Sequence, residues 1–307
     1  MSRMASTSEA MCASANSALF CVSRAQAGIS YIAPPALPAS CLLVNLTLYI
    51  YYKQDAGGVA PTPTSDLFQN MKKILIAILI CTTALLCSWG VYAWTQVGRY
   101  PEKLWLHRAN SLEKWQDNAE KYPNAEVDLI FWNGKFHIAH DTADITALTI
   151  NEYFREMPNH KGHLWLDIKN LSKNNAIVAL HELDSLCSEY NVDKSRFIIE
   201  SDNESALSHF THQGGYFTSY YVKAPCPSAL SEEERKEVIY QLEQVVHRGN
   251  VSALSFPRHW YKDISSGLKS DIPLLTWDHH TGEWLFHASF WKLKMLNDDR
   301  VKVILVK

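Results

Sequence analysis

The C-terminal two-thirds of this sequence predicts an α/β fold, a (β/α)8 barrel of the TIM type. Three observations lead there. Eight short apolar runs follow Pro101, most are separated by stretches of helical spacing, and the set fits within residues 103–307, the size of a compact barrel. The runs are 103–106, 125–131, 163–168, 196–199, 216–222, 253–256, 274–277 and 301–306. Their brevity and their content of Ile, Val, Tyr and Trp favour strand over helix.

Each connection has its own signature. Residues 111–121 are amphipathic, and Gly134 ahead of residues 136–140 predicts a small hairpin on the second strand. Residues 174–190 carry Ile177, Leu180, Leu183 and Leu186 near helical spacing. Residues 203–213 and 231–248 behave similarly, the latter opening with Ser231-Glu232-Glu233-Glu234, a capping-box pattern. The connections after the sixth and seventh runs are shorter or less regular. A doubly wound open sheet is the main rival, and the chain lacks the GxGxxG and GxxxxGK[ST] phosphate loops that usually give that fold its function.

The N-terminal part is different in kind. Residues 1–70 are rich in Ala, Ser and Pro without sustained periodicity. We expect them to be a disordered extension or an over-extended reading whose true start is Met71. Lys72 and Lys73 follow, then an uncharged stretch, 74–94, long enough at about 1.5 Å per residue to cross an apolar layer of about 30 Å. Residues 71–94 are therefore expected to be a signal anchor, or an export signal of bacterial type with Val91-Tyr92-Ala93 near the cleavage position. The large Leu86 before Cys87 argues against lipoprotein processing. Residues 95–102 are expected to be a linker ending at Pro101. The barrel would then be membrane-anchored or exported, in a bacterial periplasm or cell envelope. A net charge of −3 leaves no broad basic surface, so nucleic acid is not an expected partner. The seven cysteines show no CxxC pair or zinc spacing.

Polar residues cluster at the ends of the first three runs: His107, Arg108 and Asn110; Glu126 and Asp128; His140 and Asp141; Asp167 and Lys169. Glu126 and Asp128 are two apart on a strand, so both face the same way. Unpaired carboxylates inside a barrel are costly, and one Mg²⁺ or Ca²⁺ with hard oxygen ligands relieves that cost. Asp167 supplies a third oxygen ligand, and Lys169, again two residues on, can hold a phosphate oxygen or pair with the acids. His107 and His140 titrate near neutrality and suit acid–base catalysis at a phosphodiester. Arg108 and Asn110 can orient the substrate or brace His107. Glu200 and Trp277 end later strands and are expected at the mouth, Glu200 as an extra ligand or hydroxyl acceptor, Trp277 covering an apolar or sugar face. Asp278-His279-His280 reads as a solvated loop, because adjacent histidines on extended chain point apart.

The order HR-x-N, ExD, HD and DxK resembles the phospholipase-C-like phosphodiesterase superfamily, over roughly residues 103–307 with its specific motifs within 103–170. Glycerophosphodiester phosphodiesterases have an ExK where this chain has Asp167-Ile168-Lys169. The DxK form and Asn110 are more similar to sphingomyelinase D and the menorin family. LWLHRANSLEKW, YPNAEVDLIF and IAHD also resemble uncharacterised bacterial members of the superfamily. The resemblance implies a barrel, one divalent cation on Glu126, Asp128 and Asp167, and catalysis by His107 and His140. After Asp141 the chain lacks the Leu and Arg-Thr run typical of glycerophosphodiesterases, so the substrate does not transfer.

The function expected is hydrolysis of a glycerophosphodiester, a phospholipid head group or a related envelope phosphodiester. The alternatives are a non-catalytic, menorin-like barrel that binds a glycan, lipid or protein partner, and a metal-dependent hydrolase or lyase of another class on the same barrel.

Overall fold

Eight parallel strands close on themselves in the computed structural model of the chain, which describes residues 65–277 and 290–306. They are β1 (Leu104–Leu106), β2 (Ala125–Trp132), β4 (Leu164–Ile168), β5 (Phe197–Ser201), β6 (Phe217–Tyr221), β7 (Ala253–Pro257), β8 (Leu274–Trp277) and β9 (Val301–Val306). Each pairs in parallel with the next, and β9 returns to β1 through Leu104↔Ile304 and Leu106↔Val306. The remaining strand, β3 (Lys135–Ile138), lies antiparallel on the far end of β2. Asn133 and Gly134 join β2 to β3 with φ of 48° and 75°, the two left-handed central residues of a type I′ turn. The predicted barrel and its hairpin are both present.

Eight helices are described: α1 (Ser65–Val97), α2 (Leu112–Asn118), α3 (Asn151–Glu156), α4 (Ala176–Glu189), α5 (Glu204–His209), α6 (Glu232–His247), α7 (Tyr261–Gly267) and α8 (Phe290–Leu296). At the start of α6, Ser231 and Glu234 form the capping box that the sequence predicts. The predicted helix over 203–213 is α5 followed by a π-type turn, Phe210–Gly214, which ends at the left-handed Gly215.

Two separate sets of apolar side chains result from the alternation of the strands. The larger set, including Val127, Leu166, Ile199, Leu254 and Ile304, faces outward against the helices. The smaller set, including Trp105, Trp165, Ile198, Leu275, Val303 and Leu305, fills the barrel interior.

Residues 69–97 of α1 are long and apolar enough to cross a membrane. The helix continues into the stretch expected to be a linker. Ala93, Gln96 and Val97 are buried, and Ala93 and Val97 join the outer core, so residues 95–97 stay helical because they have a surface to pack on. The remaining residues turn through Tyr100 into a short 3₁₀ segment, Pro101–Lys103.

Candidate metal and phosphodiester site

On four successive strands the two inward positions read apolar, then polar: Trp165 and Asp167, Ile198 and Glu200, Phe217 and Ser219, Ala253 and Ser255. Strand register sets Asp128 opposite Asp167, Asp167 opposite Glu200 and Glu200 opposite Ser219, while Ser255 lies two residues beyond Ala253, the partner of Ser219. On β2 both inward positions are acidic, Glu126 and Asp128. The carboxylates therefore gather toward the C-terminal ends of the strands, the face on which barrel enzymes build their sites. We call this end the mouth and the opposite end the foot.

Glu126, Asp128 and Asp167 each offer an oxygen, all within 4.8 Å of one another. Glu126 and Asp128 are 3% and 1% exposed, and Glu200 is equally buried. Lys169 lies against this group. Its Nζ is 2.8 Å from Asp128 Oδ1 and also bonds Asp167 Oδ2. Arg108 Nε is 3.6 Å from Asp128 Oδ2. Four carboxylates thus face two cations, and one divalent cation would balance the remainder. Hard oxygen donors, close convergence and this charge deficit fit Mg²⁺ or Ca²⁺.

Proton affinities follow from the same crowding. Burial, then the Asp128 and Asp167 charges, push Glu126 well above the usual carboxylate range. Burial and the Asp167 charge do the same to Glu200. Burial raises Asp167 against the opposing pull of Lys169. Burial also disfavours ionised Asp128, but Lys169, Asn110 and Arg108 outweigh it and hold this carboxyl below its ordinary value. Burial alone would lower Lys169, yet Asp167, Asp128 and Glu126 together raise it well above a normal lysine.

The loop after β1 is held in place by the acids it borders. Arg108 adopts a φ of 53°, left-handed and strained for a non-glycine residue. That turn lets its backbone N–H donate to Glu126 Oε2 at 2.6 Å. Asn110 braces Asp128 twice: its Nδ2 donates to Asp128 Oδ2 at 2.8 Å, and its Oδ1 accepts from the Asp128 N–H at 3.0 Å. His107 is 4% exposed, with Nε2 3.9 Å from Glu126 Oε2.

Of the sequence-predicted residues, His107, Arg108, Asn110, Glu126, Asp128, Asp167 and Lys169 share this one network. Glu200 borders it beside Asp167. His140 stands further out. It follows β3, where the Ala139 N–H donates to the Asp128 carbonyl at 3.2 Å, but its own ring is exposed and meets Asp141 Oδ2 at 3.0 Å. Trp277 is 9% exposed; it floors the mouth between Tyr221 and Trp165, at ring distances of 5.5 and 6.4 Å. Asp278, His279 and His280 lie outside the described residues.

Three contributors were not singled out from sequence. Lys114 Nζ donates to the carbonyls of His107 and Arg108, each at 2.7 Å. Tyr153 OH donates to the Ala109 carbonyl at 2.5 Å. Ser219 Oγ is buried and has no hydrogen-bond partner among the described residues. Lys114 and Tyr153 act through backbone carbonyls and Ser219 sits inside an ordinary strand, so no residue motif marks them.

No protein-family profile matches this chain, and no curated protein matches it. Solved structures of glycerophosphodiester phosphodiesterases are among those it resembles. One is a phosphodiesterase from Oleispira antarctica in complex with its product sn-glycerol-3-phosphate, 13% identical, covering 68% of this chain and 94% of that one, with a TM-score of 0.46. Another is a glycerophosphodiester phosphodiesterase from Parabacteroides distasonis, 14% identical, covering 67% and 92%, with a TM-score of 0.44. A U32 peptidase is also similar, at 8% identity, 66% and 91% coverage and a TM-score of 0.38. At this level of likeness, the functional reading rests on the residues of the chain itself.

Proposed function

We propose that this chain is a divalent-metal-dependent phosphoric diester hydrolase, acting on a glycerophosphodiester, a phospholipid head group or a related envelope phosphodiester. One observation carries the reading: three carboxylates converge within 4.8 Å beside a lysine at the mouth of a barrel. A phosphodiester needs both charge neutralisation and an electropositive partner for its oxygens. Mg²⁺ or Ca²⁺, bound by Glu126, Asp128 and Asp167, would supply Lewis-acid stabilisation of charge on the phosphoryl group.

The side chains divide the rest of the work. Lys169 exchanges a carboxylate partner for a phosphoryl oxygen and holds it by a charge-assisted hydrogen bond. His107, buried beside Glu126, and His140, on the rim beyond β3, are the proton-transfer pair, one accepting the nucleophile's proton and one protonating the leaving oxygen. The nucleophile is water or a neighbouring substrate hydroxyl, the latter giving a cyclic phosphate. Arg108 orients the substrate while Asn110 fixes Asp128. Trp277, with Glu200 nearby, receives the non-phosphate part of the substrate. Anchoring through residues 74–94 would put this chemistry in a bacterial cell envelope.

The decisive assay is hydrolysis of glycerophosphodiesters by the full-length chain with Mg²⁺, with Ca²⁺ and with EDTA. His107→Ala and His140→Ala should each lower kcat by about 10²–10⁴. Full activity in both variants would sink the assignment. A metal-loaded protein that binds the diester without turning it over would instead favour the non-catalytic barrel.

A further inference from the structure

The foot of the barrel has a feature that the proposed chemistry does not use. A cavity of about 410 Å³ opens there, lined by Trp94 and Val97 of α1, Arg99, Leu104 at the start of β1, and Lys121 and Tyr122 ahead of β2. Its walls are largely apolar, and two exposed cations, Arg99 and Lys121, border it. It adjoins the end of the apolar helix, where Tyr92 and Trp94 are 50% and 70% exposed. Aromatic residues and adjacent basic ones mark the level at which a membrane helix leaves the apolar layer for the head groups.

The junction between helix and barrel is tight. Residues 88–97 belong to the same compact unit as the barrel, and Ala93, Gln96 and Val97 are buried. Lys103 Nζ donates to the carbonyls of Leu296 and Asp298 at 2.9 and 3.0 Å, and Tyr100 OH donates to Asn297 Oδ1 at 3.3 Å. Strand β1 starts at Leu104, seven residues after the helix ends at Val97. The last turns of α1 are thus held against the foot of the barrel.

We propose that the foot is a membrane-docking surface, with this cavity taking the head group of an anionic phospholipid. Arg99 and Lys121 meet the phosphate, and Trp94, Val97 and Leu104 line the path of the acyl and glycerol portion. The mouth then opens away from the anchoring bilayer, a strand length of roughly 15–20 Å further out. Its substrates are water-borne phosphodiesters rather than phospholipids of that bilayer. The inference rests on two readings, that α1 is the anchor and that the mouth is the active end. Its structural rival is a mouth-down arrangement in which the exposed Trp132, at the tip of the β2–β3 hairpin, enters the membrane instead.

The test uses full-length protein reconstituted into vesicles of phosphatidylcholine, with or without phosphatidylglycerol. A photo-crosslinking residue is placed at Glu120, near the foot, or at Lys135, on the hairpin beyond the mouth. Lipid adducts at Glu120 should exceed those at Lys135 and should rise with phosphatidylglycerol. In an Arg99→Glu, Lys121→Glu double variant, the phosphatidylglycerol-dependent adducts should fall by at least about tenfold, given about 1 kcal/mol per basic residue near an anionic surface. Equal or greater crosslinking at Lys135 would overturn the orientation. Adducts at Glu120 indifferent to phosphatidylglycerol or to the double variant would overturn the head-group seat. Protein washed from the vesicles by carbonate would overturn the anchor and the inference with it. Absence of phosphodiester turnover, by contrast, counts against the proposed activity and leaves the crosslinking comparison standing.

Discussion

The foot and the mouth of the barrel interior are filled by opposite chemistry on the same strands. Toward the foot, Trp105, Trp165 and Ile198 pack as an apolar plug. Two residues further along, the same faces present Asp167 and Glu200, next to Glu126 and Asp128 of β2. Burial stabilises the foot and strains the mouth, since an apolar side chain gains on leaving water and a carboxylate loses. The barrel keeps its stability in one half and holds in the other a group of charges that only a ligand or a cation can fully satisfy.

The largest test of this division is Trp165→Ala. Removing that fully buried indole should lower stability by about 3–5 kcal/mol, read from urea unfolding, while leaving the response to divalent cations intact. A Trp165→Ala protein that lost its cation response would break the separation between foot and mouth.

Cation addition comes next. Mg²⁺ or Ca²⁺ at about a hundredfold excess over its Kd should stabilise the protein by about 2.7 kcal/mol, a rise in Tm of roughly 5–10 °C for a barrel of this size. The effect should depend on pH in a fixed direction. Glu126, Glu200 and Asp167 have raised affinities in the folded state, so they keep protons that the unfolded chain has released. Their contribution is fully present at low pH and is lost as pH rises from the ordinary carboxylate range through the raised folded values. Asp128, held low, works the opposite way and weakens the fold as pH falls. With three raised acids against one, the metal-free protein should lose stability as pH rises above the ordinary carboxylate range. Cation stabilisation should grow over the same interval, because ligands must be deprotonated to bind. Thermal melts within the ordinary carboxylate range and well above it, with EDTA and with metal, would check the sign.

Glu126→Gln sharpens the comparison further. The amide keeps an oxygen for the Arg108 N–H but removes a charge that the site does not welcome. The metal-free variant should gain about 1–2 kcal/mol near pH 8, while the cation-induced rise in Tm collapses. An unchanged cation response would remove Glu126 from the ligand set. The smallest expected effect is Asn110→Ala, a loss of about 1 kcal/mol from two neutral-donor hydrogen bonds to Asp128 and its backbone. Its cost to phosphodiester turnover should exceed that, since Asp128 would no longer be fixed.

Much of the frame was legible. Runs of four to seven residues rich in β-branched and aromatic side chains mark all eight barrel strands, because a parallel sheet buried on both faces needs continuous apolar chain. The hairpin was legible at Gly134 and the start of α6 at Ser231 and Glu234. Helix α3 was not; its N-cap, Ile150, offers no side-chain oxygen, and six residues are too short for a clear period. The helical character of residues 95–97 was hidden for another reason: the surface that stabilises them is brought there by tertiary packing, and local propensity does not record it.

The candidate site divides in the same way. The sequence by itself determined which residues carry charge and which share a face, since a two-residue spacing on a strand puts Glu126 with Asp128 and Asp167 with Lys169 on one side. It could not determine how those pairs meet. Strand register sets Asp128 opposite Asp167 and Asp167 opposite Glu200, and register comes from closing the barrel. Nor could it foresee which two acids Lys169 would bridge, that Arg108 would turn left-handed to reach Glu126, or that His140 would stay exposed on the rim. Those positions depend on distances between residues far apart in the chain, and only the closed barrel brings them within hydrogen-bonding range.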